Sequence, residues 1–67
     1  MPFIEVKAIK GVFSGEEKQQ IIEEVTGVFG RLKGDDFVQG TWVVINEHVD
    51  GNWGEAGIIV TRDDVLS

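Results

Sequence analysis

The sequence predicts an α+β fold: a β-α-β subunit with two parallel strands, one helix and a short C-terminal strand or hairpin, its core completed by oligomerisation. Three observations predict it. Residues Phe3 to Ile9 alternate between apolar and polar, residues 15–33 carry an apolar stripe at helical spacing, and residues 41–48 are rich in β-branched and aromatic side chains.

The first element, FIEVKAI, puts Ile4, Val6 and Ala8 on one face and Glu5 and Lys7 on the other. This period of two is that of a strand, and Gly11 breaks it. Ser14-Gly15-Glu16-Glu17 then forms a capping box, in which the Ser14 hydroxyl accepts from the Glu17 amide while the Glu17 carboxylate reaches back. A helix should start near Gly15.

Along that helix Ile21, Ile22, Val25, Val28, Phe29 and Leu32 recur at spacings of one, three and four, opposite Glu16, Lys18, Gln19, Glu23, Glu24 and Arg31. Gly27 and Gly30 each cost roughly 1 kcal/mol relative to Ala, so they either mark a close approach or loosen the last turn. Gly34, after the basic turn of Arg31 and Lys33, is a natural stop.

The segment TWVVINEH, Thr41 to His48, is the best strand in the chain. The helix before it makes a crossover long enough for a right-handed βαβ unit with parallel strands. Trp42 and Val44 lie on one side of this strand and Val43 and Ile45 on the other. One helix covers one face, so other copies of the chain are expected to cover the second. A glycine-punctuated turn, Asp50 to Gly57, leads to a short final strand or hairpin arm at Ile58-Ile59-Val60, and Thr61-Arg62-Asp63-Asp64 opens a last turn.

Residues 1–67 are expected to be a single domain, without linker or repeat. A chain this short buries only about 60% of the surface it exposes when unfolded. It has no Cys and a single histidine, His48. Oligomerisation is the means of stabilisation left.

The net charge of -6 argues against nucleic acid as a partner, because phosphate recognition needs clustered Lys and Arg. No apolar run approaches the roughly 20 residues of a membrane span, and the start lacks signal-peptide character. A soluble cytoplasmic protein, with no membrane partner, is expected.

Few residues offer chemistry. Ser14 is accounted for as a helix cap, and His48, beside Glu47, is expected to be a solvated loop histidine. The pairs Glu16-Glu17, Glu23-Glu24 and Asp63-Asp64 read as solvated helical surface, so no metal site is expected. The run Gly51 to Gly57 lacks the spacing of a dinucleotide fingerprint, and no cofactor is expected.

Pro2 remains. Methionine aminopeptidases remove an initiator methionine ahead of a small residue, which would leave Pro2 as a secondary amine. An α-amino group titrates near 7.7 to 8.0, and apolar surroundings lower that value by disfavouring the charged form. Such an amine can act as a general base or as a nucleophile toward carbonyls. The plainer alternative is that Pro2 only begins an edge strand, where a missing N–H is harmless.

The chain from Pro2 to Gly57 resembles the 4-oxalocrotonate tautomerase family of small βαβ subunits. The resemblance rests on MPFIEV, the glycine-ended first strand at Lys10-Gly11, the helix entry SGEEKQQII, the strand TWVVINE and the turn GNWGEAG. It implies that Pro2 is the catalytic base, moving a proton in a small enol or keto acid, and that Trp53 is an apolar wall. It also implies a homo-oligomer, a hexamer built as a trimer of dimers or else a smaller assembly.

Two arginines common in that family are replaced, one by Val12, followed by Phe13, and one by Trp42. Neither replacement can make a bidentate bond to a carboxylate. Val12, Phe13, Trp42 and Trp53 would form an apolar substrate pocket, with Lys10, Arg31, Arg62 or Asn46 as possible oxygen partners. A cofactor-independent isomerase acting on a small organic acid is the reading implied. The alternative is a non-catalytic binding or scaffold protein that keeps the fold, and a third is a dehalogenase, hydratase or decarboxylase of the same superfamily.

Overall fold

The computed structural model describes residues 2–67. Strand β1, Phe3–Ile9, leads through a tight loop into helix α1, Gly15–Lys33. The helix starts where its capping box demands: the Glu17 N–H donates to Ser14 Oγ at 3.1 Å and the Ser14 N–H to Glu17 Oε1 at 2.8 Å. A cap of this kind stabilises a helix by about 1 kcal/mol. It ends at Gly34, whose positive φ of 93° turns the chain while its N–H donates to the Gly30 carbonyl.

A short helix absent from the sequence reading, α2 at Asp35–Gln39, follows at once. Five residues are too few to show a helical period, which is why pattern alone does not find it. It packs so tightly on α1 that a Cβ on Gly30 would lie 2.6 Å from Val38 Cγ2. Gly30 is therefore a close-approach glycine, and the frayed-turn alternative falls away. The Thr41 hydroxyl donates to the Phe37 carbonyl, closing the step into β2, Trp42–His48.

Strands β1 and β2 are parallel, in a register running from Phe3 beside Trp42 to Ile9 beside His48. The inner face, with Ile4, Val6 and Ala8 of β1 and Val43, Ile45 and Glu47 of β2, lies toward α1. Glu47 confirms that orientation by accepting from Lys18 of α1 at 2.9 Å. The outer face carries Phe3, Glu5, Lys7 and Ile9 beside Trp42, Val44, Asn46 and His48.

After β2 come two-residue strands β3, Gly54–Glu55, and β4, Ile58–Ile59, paired antiparallel. Their turn residues Ala56 and Gly57 both take positive φ, 53° and 81°, as a type I′ hairpin requires. Helix α3, Arg62–Leu66, is capped by Thr61 in a second capping box with Asp64. Among the described residues, no helix is long and apolar enough to cross a membrane.

The protomer is not closed on itself. Its radius of gyration is 14.6 Å, against roughly 11 Å for a compact chain of this length. Its accessible surface is 5042 Å², where a globular monomer of this mass would show about 4,200 Å². Only Ala8 and Ile9 are buried apolar residues among those described, while Phe3 and Trp42 of the outer face remain 62% and 61% exposed. An unpartnered apolar face of this kind is an association surface.

Candidate active site

A cavity of about 370 Å³ opens at the C-terminal end of β1. Its floor is Ala8 and Ile9, and the loop after β1 adds Val12 and Phe13. Trp53 forms one wall, and Val60 and Val65 of the C-terminal segment form another. Lys7 and Glu55 are its two ionisable lining residues. A volume of this order suits a small organic ligand.

Each wall is held by the backbone. The Lys10 N–H donates to the His48 carbonyl at 2.8 Å, carrying the β1–β2 ladder one step further, and the Val12 N–H returns to the Ile9 carbonyl at 3.2 Å. That reversal needs the positive φ of 89° at Gly11. Arg62 then clamps the loop, its Nε donating to the Gly11 carbonyl at 3.2 Å and its own N–H donating to Asp50 Oδ1 at 3.0 Å. Val12 and Phe13 are thereby presented toward the cavity.

Trp53 is fixed from two sides. Its carbonyl accepts from the Val60 N–H at 2.9 Å, which extends the hairpin ladder. Its ring meets His48 edge-on, with centroids 5.9 Å apart and planes at 68°. His48 is therefore not a solvated loop residue: it is the last residue of β2, half-buried against Trp53. Strand parity places it on the outer face, the face from which Trp53 returns.

On the other side of the sheet, Lys18 donates a hydrogen bond to Glu47, and this, more than the nearby backbone amide of Gly11 or the charge of Lys10, holds the Glu47 carboxyl below its ordinary value. Desolvation, which pushes the other way, is outweighed. Glu47 is thus an ion-paired structural carboxylate. Among the described residues, no three His, Asp or Glu side chains converge as metal ligands.

Pro2 and Trp42 lie together at the opposite end of the sheet, where the Trp42 N–H donates to the Pro2 carbonyl at 3.0 Å. Along a seven-residue strand the two ends are separated by about 20 Å. Within one protomer, Val12, Phe13 and Trp53 share a cavity while Pro2 and Trp42 stand apart from it. Met1, whose removal would be needed to free an amine at Pro2, lies outside the described residues.

Sequence reasoning did not single out Lys7, Ile9, Glu55, Val60 or Val65 as lining residues. The signal for Lys7 was present in the alternation of β1, which puts it on the same face as Ile9. Of the oxygen partners considered, Arg62 is engaged with Gly11, and the Asn46 amide donates to Glu5 Oε2 at 3.0 Å.

A family model described as tautomerase enzyme matches residues 2–62. Among solved structures, DmpI from Helicobacter pylori is 31% identical, covering 88% of this chain and 95% of its own with a TM-score of 0.73. A candidate 4-oxalocrotonate tautomerase from methicillin-resistant Staphylococcus aureus is 30% identical, covers 94% of this chain and 95% of its own, and has a TM-score of 0.72. TomN, a 4-oxalocrotonate tautomerase homologue of the tomaymycin biosynthetic pathway, is 24% identical over 98% of this chain and 97% of its own; its TM-score of 0.78 speaks to the fold. No curated protein matches the sequence.

Proposed function

The chain belongs to the tautomerase family, and on that premise we propose that it is a cofactor-independent isomerase whose amino-terminal Pro2 moves a proton in a small enol or keto acid. The observation that carries this reading is the apolar cavity beside Trp53. A secondary amine brought to such a wall is desolvated, so its neutral, basic form is favoured near neutral pH. The amine then takes the proton from the enol hydroxyl and returns one to the neighbouring carbon, leaving the keto form with no net change of atoms.

The base and the wall come from different copies. β1 has one edge on β2 and the other free among the described residues. Two β1 strands paired antiparallel about a two-fold axis bring the start of one beside the Lys7 to Ile9 end of the other. Pro2 of one protomer thereby reaches the cavity of its partner, with Trp42 beside it as a second aromatic wall. The exposed Phe3 and Trp42 face supports further association of such dimers into a hexamer, acting in the cytoplasm.

The replacement of the expected arginine by Val12 favours a second reading, a scaffold that retains the fold without turnover. Intact mass, ketonisation of phenylenolpyruvate and labelling with 3-bromopropiolate separate the two. Pro2 free of Met1, a covalent adduct on Pro2 and a Pro2→Ala variant at least a hundredfold slower are expected for the isomerase. Retained Met1, or a Pro2→Ala variant as active as the parent, refutes it.

A further inference from the structure

Two charged side chains reach the cavity, and they are of opposite sign. Lys7 comes from β1 and Glu55 from β3, while every other lining residue is apolar. Neither is used up in holding the fold. Among the described residues the ion pair is Lys18 with Glu47, and the hydrogen bonds of the neighbouring charges go elsewhere, Glu5 to Asn46 and Arg62 to Gly11.

We infer that Lys7 is the cation that binds the substrate carboxylate and that Glu55 excludes a second one, so that the substrate class is a small monocarboxylic acid with an apolar or aromatic body. The inference rests on the cavity being the isomerase site. Neither Val12 nor Trp42 carries a charge that could take a second carboxylate. Lys7 stands two residues before the end of β1, on the outer face with Ile9, and its flexible stem delivers a point charge without the planar fork of an arginine.

One ammonium neutralises one carboxylate. The rest of the ligand then lies against Ile9, Val12, Phe13 and Trp53, where a second carboxylate would be desolvated without a partner. Glu55 adds like-charge repulsion, which is discrimination by exclusion of the wrong ligand. An aryl group instead meets Trp53 and Phe13.

Calorimetric titration tests this with phenylacetate, its neutral counterpart phenylacetamide and the dianion 2-phenylsuccinate. The parent protein should bind phenylacetate about tenfold or more tighter than either. Lys7→Gln should abolish the preference over the amide while Lys7→Arg keeps it, and Glu55→Gln should narrow the gap to the dianion. No preference in the parent, or one that survives Lys7→Gln, overturns the role of Lys7; an unchanged gap in Glu55→Gln overturns that of Glu55. Phenylenolpyruvate turnover by Pro2→Ala, measured alongside, reports on the base separately: an active Pro2→Ala with a Lys7-dependent preference refutes the base alone, and an inactive one without that preference refutes Lys7 alone.

Discussion

Arg62 closes over Gly11 so tightly that a Cβ on Gly11 would lie 2.7 Å from Arg62 Cδ, while Arg62 Nε donates to the Gly11 carbonyl. The contact joins residues 51 positions apart. It makes the C-terminal segment, with Val60 and Val65, and the loop bearing Val12 and Phe13 into one wall of the cavity.

Gly11→Ala is expected to lower stability by about 1–3 kcal/mol, since it combines a positive φ with a clash. Urea denaturation at fixed protein concentration measures it. Adding Arg62→Ala should recover the part due to the clash and leave the part due to φ. Full recovery in the double variant would show that the backbone conformation is not strained.

Ala56 occupies a positive φ of 53° at the first position of the hairpin turn. Ala56→Gly relieves that conformation, offset by the greater freedom of Gly when unfolded, and a gain of about 0.5 kcal/mol is expected. A thermal midpoint that falls instead would mean the Ala56 methyl makes a contact within the assembly.

The Trp53 ring is steadied by His48. An aromatic pair of this geometry contributes about 0.5–1.5 kcal/mol beyond burial. His48→Ala should therefore weaken phenylacetate binding several-fold and red-shift the tryptophan emission. Unaltered binding and emission would show that the hairpin alone orients Trp53.

The depressed Glu47 carboxyl links stability to pH. Its folded value lies below its ordinary 4.5, chiefly because Lys18 donates to it. The folded state thus binds this proton less readily than the unfolded state, and the stabilisation is fully present above the ordinary value and lost as pH falls through the folded one. Lys18→Met should remove this contribution at neutral pH, a small loss because the pair is partly solvated, and flatten the profile below pH 4.5, so that parent and variant converge in acid. An unchanged acid limb would assign it to other carboxylates.

Trp42 and Phe3 sit side by side, both more than half exposed. On the proposed assembly this face joins dimers, and a charge buried at its centre would be an unpaired ion, so Trp42→Glu should split the hexamer into dimers in sedimentation velocity. On the proposed assembly, turnover should fall, because Trp42 is the second wall beside Pro2, but not vanish, because the β1-paired dimer still brings Pro2 to its partner's cavity. A monomeric but fully active variant would show that the protomer suffices.

The local elements were legible because their causes are local. The alternation of FIEVKAI, the Ser14 cap, the stop at Gly34, the β-branched run of β2 and the last turn opened at Thr61 each depend on a few neighbouring residues, and each element appears where those residues put it. The five-residue α2 escaped because it shows no period, and Gly30 declared its purpose only once Val38 lay against it. The sequence by itself also determined that one apolar face would lack cover, since one helix cannot shield two sides of a sheet. What only the tertiary structure decided is which residues meet. Pro2 and Trp53 fall at opposite ends of the sheet because parallel strands send both starts one way, and Lys7, Glu55 and Val60 share a cavity because the hairpin folds back over the end of β1. Long-range juxtaposition of that kind depends on the path of the chain, which no local pattern encodes.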